Sequence, residues 1–329
     1  MLVPYVVIEC VIINYFRLRI YEKNITFAID FININKGMKF FYRTLLFFVI
    51  AISLALFTSC KSKVKVLEDG LSFCEAVYAD DDVIYISNFG VDSLSNIPSN
   101  KGYILKYDGE KFDTLQGLEG KLSTPRGLVR AGNFLYVADY NRIHAVNLSS
   151  AEPKIISIPL PSEDVVVNHL LVVDDVLLIS VSNSNHILAL MLKDDGAPQI
   201  SGIQLYFSVP GPNGMALHNG KLYIGSYNCK GENPTAENVI YVVDDFNNPV
   251  PKPFISRVGQ YDGLAVDGNW LYFTDWIGGT VGKINLNNSD QIVIINHDFS
   301  LIGPAQITFY HGFLCIPDLI QSKIFMIND

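Results

Sequence analysis

The stretch DGLAVDGNWLYFTDWIGGTVGKINL, residues 262–286, contains three short apolar segments separated by turns of small and polar residues. These segments are rich in β-branched and aromatic side chains, which are favoured in strands, and they lack the period of an amphipathic helix. The stretch therefore predicts three consecutive β-strands joined by short turns.

The same pattern recurs along the chain. The central segment LYFTD (271–275) has five counterparts: VIYIS (83–87), LYVAD (135–139), LLISV (177–181), LYIGS (222–226) and LCIPD (314–318). When the repeats are aligned on Ile84, Leu135, Leu177, Leu222, Leu271 and Leu314, successive intervals are 51, 42, 45, 49 and 43 residues. Most repeats also have a fourth strand, such as KIISI (154–158).

Four strands at a period of about 40–50 residues are typical of one blade of a β-propeller. The sequence therefore predicts an all-β fold, a six-bladed β-propeller of four-stranded antiparallel blades, over residues 61–329. Two β-sandwich domains would also contain many short strands, but they do not predict six copies of one pattern. The last repeat ends after three strands, whereas KVKVL (63–67) precedes the first repeat. We therefore expect Lys63–Leu67 to add the outer strand of the sixth blade and close the ring.

Residues 38–60, MKFFYRTLLFFVIAISLALFTSC, have the pattern of a secretory signal. Two basic residues precede an apolar run that is short for a membrane span. The end of this segment, LFTSC (56–60), resembles a bacterial lipobox, which implies that Cys60 is lipidated and becomes the mature N-terminus. The alternative is a plain signal anchor. We expect a location in the bacterial cell envelope, facing the periplasm, with membrane contact through the lipid anchor only.

Residues 1–37 precede this signal and are crowded with Ile, Asn, Phe, Tyr and Lys, which AT-rich codons encode. We interpret them as an upstream extension of the gene model, with Met38 as the start. A genuine additional membrane-associated segment is the alternative.

Charge and cysteine content exclude two classes of function. Residues 61–329 carry 18 basic and 30 acidic side chains, a net charge of −12, without a basic stripe, so a nucleic-acid partner is not expected. An acidic protein favours cations as partners. The three cysteines of this region contain no Cys-x-x-Cys pair, which excludes a zinc framework.

One register of the repeat carries the candidate site. Asn213, in GPNGMALHNGKLYIGS (211–226), lies nine residues before Leu222, and the same register elsewhere holds Glu75, Arg126, Asn168, Asp262 and Ala305. Because the repeats share one geometry, we expect these side chains to begin the six innermost strands at one mouth of the central channel. The Glu, Asp and two Asn side chains offer the mixed oxygen donors that Ca²⁺ prefers. The alternative is that they are ordinary turn residues before glycine.

The repeats also resemble known families. PRGLVRAGNFLYVADYNRIHAVNL (125–148) resembles an NHL repeat, and residues 262–286 resemble both a YWTD repeat and the fifth blade of the gluconolactonase/regucalcin family. The stretch 211–226, with Pro-Asn-Gly at the start of its inner strand, resembles the fourth blade of that family. The resemblance implies a central divalent cation held by Glu75, Asn213 and Asp262. A more distant resemblance to paraoxonases adds Asn168, in VVVNHLLVV (165–173), as a ligand.

The second blade departs from these families. It carries Pro125-Arg126-Gly127, where gluconolactonases have an Asn-Asp-Gly type of sequence and paraoxonases a His before the Gly. Arg126 is a candidate to bind a substrate carboxylate or stabilise an oxyanion, and the alternative is that it pairs with a neighbouring carboxylate. His169 is a candidate base near the metal, but a strand residue beside a ligand more often points the other way.

Two further features belong to this interpretation. The connections 88–101 and 226–237 are longer than their counterparts and should overhang the mouth, with Tyr227 and Asn228 as possible contacts. Asp139, Asp275 and Asp318 share one register and are expected to bond to backbone in the turns that follow.

Two functions fit these observations. The first is hydrolysis of lactones or similar esters, in which Ca²⁺ polarises the carbonyl and Asp262 or an unassigned base activates water. The second is a non-catalytic NHL-like propeller that binds a sugar, peptide or partner protein at the envelope. The partner is a small-molecule ligand or an envelope protein. The sequence does not predict an oligomeric state.

Overall fold

The computed structural model describes residues 64–149, 153–199, 202–229 and 233–329. The expected gene-model extension (1–37), the signal segment (38–60) and the lipidation site Cys60 lie outside the described residues. Within the described part of the chain there are 24 strands and no α-helix, and one 3-10 turn occurs at Leu94–Asn96. No helix there is long and apolar enough to cross a membrane.

The strands form six separate four-stranded antiparallel sheets, as the repeat predicts. In the first three blades, the strands are, from the inner to the outer, β2 (Cys74–Asp80), β3 (Val83–Asn88), β4 (Tyr103–Tyr107) and β5 (Phe112–Thr114); β6 (Pro125–Ala131), β7 (Phe134–Asp139), β8 (Arg142–Asn147) and β9 (Lys154–Pro159); and β10 (Val167–Val173), β11 (Val176–Val181), β12 (His186–Met191) and β13 (Gln204–Ser208).

The last three blades complete the ring. Their strands are β14 (Pro212–His218), β15 (Lys221–Ser226), β16 (Ile240–Val243) and β17 (Lys252–Pro253); β18 (Tyr261–Asp267), β19 (Trp270–Asp275), β20 (Thr280–Asn285) and β21 (Asn288–Ile294); and β22 (Thr308–Tyr310), β23 (Phe313–Asp318), β24 (Lys323–Ile327) and β1 (Lys65–Leu67). The inner strands of consecutive blades lie next to each other around a central channel, and β2 of the first blade contacts β22 of the sixth.

The N-terminal strand β1 lies beside the sixth blade, and Lys63, where the expected closing strand begins, lies outside the described residues. Strand β1 pairs antiparallel with β24, with Lys65 opposite Met326 and Leu67 opposite Ile324. Lys65 Nζ also donates a hydrogen bond of 2.7 Å to the hydroxyl of Tyr107 in the first blade. The first strand therefore covers an edge of the last blade and contacts the blade that begins the ring.

The apolar core lies between successive blades. The six residues used to align the repeats are completely buried: Ile84, Leu135, Leu177, Leu222, Leu271 and Leu314. Each belongs to the second strand of its blade, where the sheet is covered on both faces. Because both faces are buried, the central residues of these strands are apolar and do not alternate with polar ones. The short connection between the first two strands is tight, and in the fourth blade Asn219 and Gly220 both have positive φ, as the Asn-Gly hairpin predicts.

Candidate metal-binding and catalytic site

The first residues of the inner strands meet at one mouth of the channel. Glu75, Arg126, Asn168, Asn213 and Asp262 line a single cavity of about 210 Å³, although they come from five different blades. The sixth member of the register, Ala305, is buried and has no polar side-chain atom. We call the five polar residues the floor of the mouth cavity. Five of the six positions that the repeats align therefore line one cavity, and Ala305 does not.

A bulge at the start of the inner strand turns these side chains into the channel. In five blades the pairing register between the first and second strands shifts at this point, for example between Pro212 and Met215 and between Tyr261 and Leu264. The hydroxyl of Ser87, Ser180 or Thr274 on the second strand accepts the N–H of the residue that follows the floor residue in three of these blades. A bulge of this kind re-aims a side chain next to a functional site.

Glycine follows three of the floor residues because the inner strands approach one another closely. A Cβ at Gly214 would lie 2.2 Å from the carbonyl oxygen of Asp262, and one at Gly263 would lie 2.6 Å from that of Ala305. Gly127 meets the backbone of the third blade in the same way, with its Cβ position 2.5 Å from the carbonyl oxygen of Asn168. The glycines therefore narrow the ring, and this is what brings the floor side chains together.

Two carboxylates share the floor. Glu75 and Asp262 are 6% and 4% exposed. Burial raises the pKa of Asp262 well above its usual range, and the negative charge of Glu75 raises it further, against the smaller effects of Arg126 and Asn213. Burial also raises the pKa of Glu75, and the Arg126 guanidinium opposes this effect. Burial therefore disfavours the charged form of both carboxylates, and a nearby positive charge favours it.

Arg126 is the positive charge of the floor. Its Nε lies 3.8 Å from Oε1 of Glu75, and its Nη1 donates to the carbonyl oxygen of Val167 at 3.3 Å. The guanidinium also lies over the ring of Phe89, with Cζ 5.8 Å from the ring centroid. The pairing with Glu75 is the structural alternative that the sequence left open. It does not exclude contact with a ligand, because Arg126 also lines the cavity.

The two asparagines differ in their contacts. Nδ2 of Asn168 donates to the Ser182 hydroxyl at 3.2 Å, and that hydroxyl donates to the carbonyl oxygen of Pro212 at 2.7 Å. These two consecutive hydrogen bonds hold the Asn168 amide in one orientation. By contrast, Nδ2 of Asn213 and Oδ1 of Asp262 are buried and have no hydrogen-bond partner within the described structure. Asn213 is near enough to lower the pKa of Asp262, but its amide N–H groups do not satisfy that oxygen.

The floor fits a hard divalent cation in its donor chemistry. It combines two carboxylates with two amides, and oxygen donors of this kind are the usual ligands of Ca²⁺. A buried carboxylate oxygen without a protein partner is costly unless a ligand, an ion or water satisfies it. Among the residues that the structure describes, no group of three or more His, Cys, Asp or Glu side chains has metal-binding geometry. A cation at this site would therefore depend on the asparagine amides as well as on Glu75 and Asp262.

A second register, which the sequence reasoning missed, forms the wall of the same cavity. Five residues beyond each alignment position lie Phe89, Tyr140, Ser182, Tyr227, Trp276 and Leu319. All of these except Tyr140 line the cavity. Repeating the alignment argument at this position would have found them. Tyr227, which the sequence did suggest as a contact, has its pKa raised by burial and then by the charges of Asp262 and Glu75, so its hydroxyl keeps its proton.

The long connections contribute to the wall as expected. Leu94 and Ile97 of the first and Tyr227 and Cys229 of the second line the cavity. Asn228 lies beside them and donates its backbone N–H to Oε1 of Gln260 at 2.6 Å.

The expectation that His169 is a base near the metal is corrected. Its side chain lines a different cavity, of about 300 Å³, which is formed by the later residues of the inner strands. Its Nδ1 accepts the backbone N–H of Met215 at 2.8 Å, and burial lowers its pKa to about 3. The neutral imidazole therefore links the third and fourth blades. The alternation of side chains along a strand explains why it points away from its neighbour Asn168.

The aligned aspartates have structural contacts that differ in part from the expectation. Asp139 accepts the backbone N–H groups of Ser123 and Thr124, and Asp318 accepts those of Ile302 and Gly303. These hydrogen bonds hold the segment that precedes the inner strand of the same blade, whereas the expectation concerned only the turn after the aspartate. Asp318 also accepts the N–H of Gln321 in the following turn, at 2.9 Å.

Comparison with solved structures finds propellers of different activities. A gluconolactonase from Xanthomonas campestris is 18% identical, with a TM-score of 0.59, over 82% of this chain and 90% of that one. A virginiamycin B lyase from Staphylococcus aureus is 18% identical, with a TM-score of 0.52, over 82% of this chain and 100% of the lyase. A chain of a nidogen–laminin complex is 14% identical, with a TM-score of 0.51, over 74% of this chain and 85% of that one.

No protein-family model matches the chain, and no curated protein matches it by sequence. At these identities the structural likenesses show the six-bladed propeller fold alone, because one fold carries many functions.

Proposed function

We propose that this chain is a hydrolase of lactones or similar carboxylic esters that works with a divalent cation, Ca²⁺ or one of similar chemistry, at the floor of the mouth cavity. The observation that supports this most is the convergence of Glu75, Asn213 and Asp262 in one cavity, with Oδ1 of Asp262 buried and unsatisfied by the described residues. The resemblance of the repeats to gluconolactonases agrees with it, as does the likeness to a solved gluconolactonase.

Glu75, Asn213 and Asp262 would hold the cation, with Asn168 as a fourth donor. When bound, such a cation supplies Lewis-acid polarisation of the substrate carbonyl. A carboxylate has two oxygens, so Asp262 can face a cation with one and accept a proton with the other. In this proposal Asp262 is the general base, which accepts a proton from the water that attacks the carbonyl carbon. As the ring C–O bond breaks, this proton passes to the leaving alkoxide, and the product is a hydroxy acid.

Arg126 completes the chemistry that the floor offers. Its guanidinium would donate to the oxyanion that forms at the attacked carbonyl. Its pairing with Glu75 at 3.8 Å is long enough for the guanidinium to reorient toward a substrate oxygen. The proposal includes the location inferred from residues 38–60, a lipoprotein anchored at Cys60 in the bacterial envelope and facing the periplasm.

The test is calorimetric titration of Ca²⁺ into metal-stripped protein, followed by a pH-stat assay of acid release from γ- and δ-lactones. We expect one cation per chain and lactone turnover that depends on it. Asp262→Asn should weaken cation binding by about 100-fold or more and remove turnover. The matched control is Asp92→Asn, an exposed carboxylate in the long connection of the first blade, which should change neither.

A second function is favoured by one observation. Arg126 neutralises part of the charge of Glu75 without a cation, which suits a site that binds an organic ligand or a protein segment directly. If Ca²⁺, Mg²⁺, Mn²⁺ and Zn²⁺ neither bind the protein nor support lactone hydrolysis, the hydrolase proposal is wrong. The chain would then be a non-catalytic binding propeller at the envelope.

A further inference from the structure

The wall of the mouth cavity is mostly apolar, with the hydroxyls of Ser182 and Tyr227 as its polar groups, in contrast to the charged floor. Phe89, Val91 and Leu319 form a buried cluster, and Leu94, Ile97 and Trp276 are among the residues that pack against it. Five of these six side chains, all except Val91, also line the cavity. A ligand in this cavity would therefore have apolar surface beside it and polar groups below it.

The apolar surface continues from the wall to the outside of the protein. Ile277, Ile302 and Ile320 are 49%, 58% and 39% exposed, and they lie in the turns next to Trp276 and Leu319. Gly303 lies between two of these turns, because a Cβ there would be 2.8 Å from Cγ1 of Ile320 and 2.9 Å from Cη2 of Trp276. We call Ile277, Ile302 and Ile320 the rim.

The rim is more than scattered surface residues. Single exposed apolar side chains are normal and need no explanation. Here Ile320 and the indole of Trp276 both lie against the Cβ position of Gly303, and Ile302 and Ile277 are the chain neighbours of Gly303 and Trp276. Trp276 itself lines the cavity. A contiguous apolar path that leads into a polar site is typical of a binding surface for an amphiphilic molecule.

The size of the cavity decides how such a molecule would lie. About 210 Å³ is below the range of pockets that enclose drug-sized ligands, about 300–1,000 Å³. A lactone ring with a short substituent fits within it. A longer substituent has to leave the cavity, and Trp276 and the rim give it an apolar exit.

We infer that the substrate is a lactone or ester with an apolar chain, whose carbonyl faces the floor and whose chain follows Trp276 to the rim. This inference rests on the proposed function and names its substrate class. A sugar lactone has hydroxyl groups around its ring and would need several polar partners on the wall. There the hydroxyls of Ser182 and Tyr227 are outnumbered by the apolar side chains of Phe89, Leu94, Ile97, Trp276 and Leu319.

The test compares γ-lactones with no alkyl chain and with chains of four and eight carbons, alongside glucono-δ-lactone, using the full chain. Each methylene that leaves water adds about fourfold to kcat/KM. We expect kcat/KM to rise at least 50-fold from the unsubstituted to the longest lactone. Ile302→Gln and Ile320→Gln should each reduce this ratio about fivefold. The matched control is Leu205→Gln, a 55% exposed apolar residue of β13, which should leave the ratio unchanged.

Binding of the corresponding γ-lactams separates this inference from the proposed function, because lactams resist hydrolysis. If no lactone is hydrolysed but the long-chain lactam binds at least 50-fold tighter than the unsubstituted one, the hydrolase proposal fails and the apolar exit stands. If lactones are hydrolysed with kcat/KM independent of chain length, or if glucono-δ-lactone is preferred, the inference is wrong and the hydrolase proposal stands. Rim variants that change nothing would also overturn it.

Discussion

Neighbouring residues on an inner strand have different surroundings, because their side chains lie on opposite faces of the strand. Asn168 faces the mouth cavity, and its neighbour His169 lies against the next blade, where Nδ1 accepts the N–H of Met215. Glu75 and Asp262 line the same cavity although burial raises the pKa of both and the charge of Glu75 raises that of Asp262 further. Such an arrangement costs stability and persists where it serves binding or catalysis.

The buried His169 predicts a pH dependence of stability. Its pKa is about 3 in the folded protein and about 6.5 when unfolded, so the unfolded chain binds the extra proton between these values. Its contribution to stability is complete above pH 6.5 and falls as the pH decreases toward 3. At pH 5 the loss should be about 2 kcal/mol relative to pH 7.5.

The measurement is urea unfolding of the wild type and His169→Gln at both pH values. Glutamine keeps an acceptor for the N–H of Met215 but does not titrate, so the variant should lose about 2 kcal/mol less on acidification. His297→Gln, at an exposed position, is the control and should follow the wild type. An equal loss in His169→Gln and wild type would show that this imidazole is not buried neutral.

At the scale of the element, the start of the inner strand is specialised. It combines a bulge, a hydroxyl on the second strand that accepts a backbone N–H, and in three blades a glycine that permits close approach. The regular part of the strand then pairs without interruption. The same element therefore supplies a functional side chain at one end and core packing at the other.

The close approach predicts a large effect at Gly214. A Cβ there would lie 2.2 Å from the Asp262 carbonyl oxygen and 2.9 Å from the Leu264 nitrogen, and neither backbone atom can move without displacing the fifth blade. Gly214→Ala should therefore lower the free energy of unfolding by about 3 kcal/mol or more.

The matched variant is Gly268→Ala in the hairpin of the fifth blade. Its φ is +53°, and the described structure leaves open space within 4 Å of its Cβ position. The added methyl should cost about 1 kcal/mol through backbone strain alone. Chemical denaturation of both variants measures the difference, and similar losses would contradict the argument from close approach.

At the scale of the whole molecule, one blade combines strands that are distant in sequence, since β1 pairs with β24. We call the contact of β1 with the sixth and first blades the joint. Strand β1 contributes Leu67 to a cluster that includes Ile324 and Met326 of the sixth blade and Tyr107 of the first. The hydrogen bond from Lys65 to Tyr107 joins the same two blades. Every other blade is built from consecutive strands, so this joint is the place where the ring depends on long-range pairing.

Removal of β1 should open this joint. A chain that begins at Asp69 should have a Tm about 5–10 °C lower than one that begins at Lys61, since it loses the burial of Leu67 and the pairing with β24. It should also aggregate more readily through the exposed edge of β24. Differential scanning calorimetry and light scattering measure both effects, and a chain that begins at Val64 is the control. Equal Tm values for all three would show that the ring holds without the strand.

The sequence by itself determined the six blades, the inner strand of each and the register that converges at the mouth. It could do so because a repeated pattern imposes a repeated geometry, so positions aligned in sequence are related by rotation around one axis. Glu75, Asn168, Asn213 and Asp262 were predicted in this way, and the wall register was available by the same argument.

Only the tertiary structure decided the contacts between blades. Arg126 pairs with Glu75 of another repeat, and Nδ1 of His169 accepts the backbone N–H of Met215 in the next blade. Within the described residues, no neighbouring blade supplies a hydrogen-bond partner to Oδ1 of Asp262. The apolar path from Trp276 to Ile302 and Ile320 likewise joins two blades. A repeat pattern specifies the fold that the blades share. These contacts depend instead on the residues at which neighbouring blades differ, and such residues come into contact only when the ring is formed.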